Sequence, residues 1–474
     1  MSAPVTSAGV ALGVALFLLS VLPPGLGLSS PQKVVLGTAL WMAAWWISGA
    51  VPLYVTAFLP LLVFPAAQIA PFAEIAASYA DRLVFLLMGG FILAKAIEKT
   101  GLHERFALTT LKVLPSRKPA VIVAAFMLVT ASVSAWLCNT ATTLMILPIA
   151  LAVVSQVKDP GQKGVFASCL MLSVAYAAGL GGIITLVGTP PNALCSSIAG
   201  KALGAEISFF RWFLVGAPIA VVGLVIVGWY MTHIAFPMSL QPAIEDEGEL
   251  NQRLEALGRM PRAQKLVGGV FAATAVAWLS HAAWKPVFPM LDDAMIALLA
   301  ATALFLLPSG EPGRRVLEAE DGLRIPWGVL LVIGGGIALA VGFQSTGLDA
   351  AIAMRLVFLN ALPLFVVMSL LAAIALIVTQ FVVNTATAAL LLPVAASLAQ
   401  TLQVDPVLLL VPVTIATSLG FILPIGTPPN MVVLGTDYVT TKQMARAGIP
   451  LTFILWVVVS ILLYWILPVV FEFR

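Results

Sequence analysis

Apolar residues gather in long unbroken runs, near 9–29, 34–66, 83–98, 119–155, 164–198, 209–236, 265–287, 291–308, 327–343, 361–400, 405–435 and 449–471. A membrane-crossing helix takes roughly 20 apolar residues, and backbone inside lipid must satisfy its own hydrogen bonds. A transmembrane barrel would instead show alternating segments of about ten residues. The runs therefore predict an all-α integral membrane protein with about 11 transmembrane helices. Gly49 and Pro52 fall near the middle of the 34–66 run, which is too long for one crossing and reads as a helical hairpin. The 9–29 run lacks a basic segment before it and reads as a retained first span, not a cleaved signal.

Composition agrees: 61% of the 474 residues are hydrophobic and 9% charged, against about 25% charged in a soluble domain. The formal charge of +3 is too small to imply a nucleic-acid partner. Cys138, Cys169 and Cys195 are odd in number and lack CxxC spacing, which argues against a disulfide framework or a zinc site. His103, His233 and His281 are scattered and read as loop or helix-end residues.

Basic residues set the topology. Lys95, Lys99, Arg105, Lys112, Arg117 and Lys118 precede the segment 119–155, and Lys158 and Lys163 follow it. The positive-inside rule puts both flanks in the cytoplasm, so the segment should enter and leave on one side as a re-entrant hairpin or cross twice. Arg253, Arg259, Arg262 and Lys265, then Arg314, Arg315 and Arg324, then Lys442 and Arg446 also land inside. The segment 361–400 acquires both flanks outside; only Arg355 is basic before it and 396–407 has no Lys or Arg. The expected location is the plasma (inner) membrane with a cytoplasmic N-terminus.

The two segments share words. LCNTATTLMILP at 137–148 matches VVNTATAALLLP at 382–393, and GTPPN occurs at 188–192 and 426–430. Gly101-Leu102 pairs with Gly347-Leu348, Asn139 with Asn384 and Pro148 with Pro393, at a near-constant separation of roughly 240 residues. Shared apolar composition does not produce two polar words in one order. The chain thus reads as an inverted repeat. Repeat 1 is about 34–236, with hairpin 119–155 and broken helix 164–198. Repeat 2 is about 265–471, with hairpin 361–400 and broken helix 405–435. The polar stretch 239–264, with Glu245, Asp246, Glu247, Glu249, Arg253 and Arg259, joins them as a cytoplasmic connector.

Inverted repeats with helices broken at mid-membrane are the architecture of secondary transporters. Proline removes a donor and pushes the residue before it out of helical geometry. The broken helices should unwind at Gly188–Pro191 and Gly426–Pro429, exposing carbonyls that suit a small hard cation such as Na+. The following half-helix would turn its positive end to an anion. Asn and Thr favour caps, so each Asn-Thr should start the second arm of a hairpin and aim its amides inward. No Lys or Arg lies within either hairpin core or either GTPPN segment. An anion would have to be held by amides, hydroxyls, helix ends and bound cations, which makes its affinity depend on the cation.

At these residues the chain resembles the divalent anion/sodium symporter family (sodium–dicarboxylate and sodium–sulfate transporters). The likeness covers nearly the whole chain and includes WWISGAVPLYVTAFLPLLVFP at 45–65, MGGFILAKAIEKTGLHERFAL at 88–108, SAWLCNTATT at 134–143, IPWGVLLVIGGGIALA at 325–340, TQFVVNTATAALLLP at 379–393 and both GTPPN copies. The resemblance implies a homodimer in the lipid bilayer, each protomer with a scaffold domain and a transport domain that moves as an elevator. It implies substrate contacts from Asn139, Thr140, Asn384 and Thr385, with Thr189 and Thr427 nearby. It implies one Na+ site from Ser134, Asn139 and carbonyls near Cys138 and Gly188, and a second from Thr379, Asn384 and carbonyls near Val382 and Gly426. The family word Ser-Asn-Thr is here Cys-Asn-Thr at 138–140 and Val-Asn-Thr at 383–385, so the substrate positions Cys138 and Val383 lack two hydroxyls. Gln380 stands where the family tends to have Glu, and Ser48-Gly49 where Thr-Glu is common.

The expected activity is Na+-coupled symport of a small anionic substrate, a dicarboxylate of the succinate, fumarate or malate type. Symport of sulfate or another oxyanion and exchange of two dicarboxylates are the alternatives. An enzyme is not expected: the apolar segments hold no HExxH, no GxSxG and no paired carboxylates. Asp81, Arg82, Asp292 and Asp293 sit at span ends, where interfacial roles are expected.

Overall fold

The computed structural model describes residues 7–22, 27–112, 118–157, 159–204, 207–238, 255–355 and 357–472. Residues 239–254 of the connector, with its acidic cluster, lie outside the described residues, as do Arg117 and Lys158. The described chain is helical, and the β pairing within it is an isolated bridge between Pro308 and Arg315. Among the described residues, four helices are long and apolar enough to cross a membrane: Gln162–Ile183, Phe209–Ala235, Trp327–Thr346 and Thr441–Phe471.

The 34–66 run folds as expected in outline. Helix Ser30–Ser48 ends at Gly49 in the left-handed region, and the chain returns as Leu53–Thr56 and Leu59–Ala66, packed on it. Asp81 and Asp292 are N-caps: their side chains accept from the amides of Leu83 and Met295. Each caps one of two helices, Arg82–Thr100 and Asp293–Leu306, that pack on each other.

Both NTAT segments are helical hairpins. The first pairs Pro119–Ser134 with Asn139–Ser155, and the second pairs Leu364–Val378 with Asn384–Thr401. Each Asn begins its second arm, as the sequence predicts.

The helix breaks lie earlier than the sequence predicts. Helix Pro160–Ile183 stops five residues before Gly188, and the next half-helix is Pro190–Leu203. Helix Val407–Thr417 is followed by a single 3-10 turn, Pro424–Gly426, and half-helix Pro428–Leu434. The prolines therefore open the second half-helix and are not part of the unwound stretch. At the first helical position a missing N–H costs nothing and the fixed φ favours the helix. Thr189 and Thr427 before them are extended, at φ −147° and −141°.

The breaks redirect the chain across the repeat boundary. Half-helix Pro190–Leu203 leaves the first hairpin and packs on the second arm of the second hairpin, while Pro428–Leu434 packs on the second arm of the first. The centre of this exchange is Pro160–Ile183, which is wholly buried from Phe166 to Ile183. Large apolar side chains exposed elsewhere, among them Val225, Trp229, Phe453 and Trp465, give the perimeter a lipid-compatible surface.

Candidate functional site

At the first hairpin tip, Ser134 Oγ lies 2.9 Å from Asn139 Oδ1 and 2.8 Å from the Ala178 carbonyl of the broken helix. At the second, Thr379 Oγ1 lies 2.8 Å from the Thr417 carbonyl, beside the Asn384 amide. All four side chains are buried.

Asn384 joins the second tip to the second break: its Nδ2 donates to the carbonyls of Thr417 and Gly426 at 3.1 and 2.9 Å. At the first tip the Asn139 side chain lies against Gly182, where any Cβ would collide with its Oδ1. Gly188 packs on the carbonyls of Gly182 and Ala135.

The structure brings Ser134 to Asn139 and Thr379 to Asn384 and Gly426, and it adds the Ala178 and Thr417 carbonyls, which the motifs did not reveal. The Cys138 and Val382 carbonyls are engaged within the tips: Cys138 O accepts the Thr142 amide at 3.0 Å, and Val382 O accepts Thr387 Oγ1 at 3.3 Å.

The Asn of GTPPN has a role that sequence reasoning missed. Asn192 Nδ2 donates to Gly182 O at 2.8 Å and Thr185 O at 2.7 Å, and Asn430 Nδ2 donates to Gly420 O at 2.8 Å and Leu423 O at 3.0 Å. One amide group thereby holds two carbonyls of each unwound stretch, the groups a broken helix leaves unpaired. The signal was present in the invariance of the word between repeats. Thr185 Oγ1 adds a bond to Ala135 O, tying the first break to the first tip.

Cys138 and Val383 are the N-cap residues of the second arms, and neither makes a side-chain cap. A serine hydroxyl at this position could cap; a thiol does so weakly and a Val not at all. Cys138, Thr140, Val383 and Thr385 are half-buried, whereas Thr189 and Thr427 are buried. Cys138 and Ala141 line a small cavity shared with Lys95, Glu98 and Arg324, so the cations absent from the hairpin cores stand at the mouth of the first tip. Lys95 pairs with Glu98 at 2.8 Å. Gln380 is buried; its Nε2 donates to Leu376 O at 2.9 Å and its Oε1 accepts the Ile422 amide at 3.0 Å. An amide does both where a carboxylate could only accept, so the neutral residue suits this position.

Residues 6–471 match the sequence profile of the family described as "Sodium:sulfate symporter transmembrane region". The sodium-dependent dicarboxylate transporter SdcS of Staphylococcus saprophyticus is 33% identical, over 97% of this chain and 91% of that protein. The protein of the same name from Staphylococcus aureus is 32% identical, over 98% and 91%. Among solved structures, the YdaH transporter of Alcanivorax borkumensis superposes with a TM-score of 0.60 at 13% identity, covering 94% of this chain and 99% of that one, which shows a shared fold. The duplicated tips and breaks, and a match along almost the entire sequence, make this multi-pass membrane chain a member of the sodium:sulfate symporter family, the divalent anion/sodium symporters.

Proposed function

We propose that the protein is a Na+-coupled symporter of a C4-type dicarboxylate such as succinate, fumarate or malate, working as a homodimer by an elevator motion. The buried carbonyls and hydroxyls that converge on the two tips, Thr417 O, Gly426 O and Thr379 Oγ1 about Asn384 and Ala178 O and Ser134 Oγ beside Asn139, are the observation that carries the reading. Carbonyl and amide oxygens without a formal negative charge suit a monovalent hard cation. Thr140 and Thr385, half-buried at the tips, together with the buried Thr189 and Thr427, would hold the carboxylates. Na+ bound at each tip supplies the positive charge that the cores lack, so dianion binding depends on Na+. The names of the 32–33% identical relatives support the dicarboxylate.

The hairpin arms have 16, 17, 15 and 18 residues, and at about 1.5 Å per residue each is shorter than a bilayer core of about 30 Å. That supports re-entrant hairpins. With the basic flanks inside, it supports a first hairpin entered from the cytoplasm.

The test is uptake of radiolabelled succinate into proteoliposomes with an inward Na+ gradient or with K+ in its place. Na+-dependent uptake, lost in Asn384→Ala, is expected. Sulfate in the same vesicles tests the oxyanion reading, and uptake that ignores Na+ but requires internal dicarboxylate would replace symport by exchange.

A further inference from the structure

A cluster of charges flanks the first hairpin tip. Helix Arg82–Thr100 carries Lys95, Glu98 and Lys99 in its last turns, and the turn Ala319–Leu323 brings Asp321, with Arg324 directly after it. Lys95 pairs with Glu98 at 2.8 Å and Lys99 with Asp321 at 2.6 Å. These pairs leave one cation over. Arg324 is exposed, and its guanidinium has neither an ion pair nor a hydrogen bond among the described residues. The other arginines of this loop are engaged: Arg314 Nη1 donates to Glu311 Oε2 at 3.0 Å and Arg315 Nη1 to Leu306 O at 2.6 Å. The basic flanks assign this side of the chain to the cytoplasm.

The unpaired cation lies where an anion would pass. Arg324 and Lys95 line a cavity of about 60 Å³ that also takes in Cys138 and Ala141, at the start of the hairpin's second arm. The first turn of Asn139–Ser155 carries amides without partners in the helix, so it adds positive potential to the same cavity. Phe91 and Met145 are among the apolar lining, and apolar walls focus the field of a charged group. The space holds a few waters or one carboxylate group and falls short of a whole C4 dianion. The second repeat lacks this arrangement: counted back from Gly101 and from Gly347, Val341 and Gln344 stand where Lys95 and Glu98 stand.

We propose that Arg324, with Lys95, forms a second anion subsite that takes one carboxylate of the dicarboxylate at the cytoplasmic mouth of the first tip. The inference rests on the symport reading above and adds to it a binding residue outside the duplicated motifs. The tips depend on Na+ for their positive charge, whereas Arg324 carries its own. The subsite therefore gathers the dianion at the mouth while the Na+ sites are empty, and it acts on one face of the membrane because one repeat alone carries it.

Two measurements on the reconstituted full chain test this. The first is the ratio of the rates at which methanethiosulfonates bearing a sulfonate or a trimethylammonium group label Cys138; it needs no substrate and reads the potential in the cavity. The second is the KM for Na+-driven transport with succinate presented to either face. Arg324 is exposed and unpaired, so replacing it leaves the packing intact. Arg324→Gln should lower the labelling ratio about five-fold and raise KM about as much on the cytoplasmic face alone. Arg324→Lys should stay near the parent. So should Arg314→Gln, which removes an equal charge from the same loop at a residue that does not line the cavity. An unchanged ratio in Arg324→Gln, an equal fall in Arg314→Gln, or a lowered ratio with both KM values parental overturns the subsite. A wild type without Na+-driven uptake overturns the transport reading instead. The subsite then stands if succinate or sulfate slows the sulfonate reagent in the parent and not in Arg324→Gln, and falls if both proteins respond alike.

Discussion

The Tyr176 hydroxyl donates to the Phe421 carbonyl at 2.9 Å, with the two rings 4.5 Å apart, so the helix before the first break is fastened directly to the second break. Both residues are buried. Tyr176→Phe leaves the stack and orphans the carbonyl, at a cost of about 1–2 kcal/mol. A lower melting temperature in detergent, with weaker Na+ dependence of uptake, is the expected result.

Asn192 and Asn430 each hold two carbonyls across a break. Ala at either position releases both and should cost about 2–4 kcal/mol. Asp at either position should do no better, because a carboxylate cannot donate. Titrating uptake against Na+ in all four variants should give half-saturation at higher Na+ than the parent; an unchanged Na+ curve would dissociate the breaks from cation binding.

Cys138 is half-buried beside a cavity, while Cys169 and Cys195 are completely buried. Native protein treated with a maleimide should carry one label, mapped to Cys138 by mass spectrometry. Na+ and succinate together should slow the reaction, and Cys138→Ser should abolish it.

Val383 occupies an N-cap without a capping group. Val383→Ser should stabilise the second hairpin by about 0.5–1 kcal/mol and lower the KM for succinate by restoring a hydroxyl at the tip. Paired melting and uptake curves test both. A lower melting temperature would mean that the apolar contacts of Val383 outweigh the cap.

Lys99 Nζ meets Asp321 Oδ2 at 2.6 Å, joining Arg82–Thr100 to the turn Ala319–Leu323. Burial raises the Asp321 carboxyl, but the Lys99 hydrogen bond, the Glu318 amide and the charges of Lys99 and Lys95 outweigh it and hold the group below its ordinary value. A lowered carboxyl contributes stability above its unfolded value, near about 4, and loses it as pH falls through the folded value. Asp321→Asn should therefore melt below the parent at pH 7, by about 1–2 kcal/mol, and the difference should close under strongly acid conditions.

Much of this protein was legible in one dimension. Long apolar runs fix a helical membrane protein because lipid offers the backbone no partners. Duplicated NTAT and GTPPN words mark an internal repeat of hairpin and break, and the helix-start preference of Asn-Thr places the second arms, although the caps themselves fall on Cys138 and Val383. Tertiary structure decided what those words touch. The breaks moved ahead of the prolines because Pro is at ease at a first helical position. The Ala178 and Thr417 carbonyls joined the tips because backbone oxygens leave no mark in a sequence. Arg324 came to share a cavity with Cys138 because the chain before helix Trp327–Thr346 packs beside the first tip, a relation between residues far apart in sequence that only the packed chain defines.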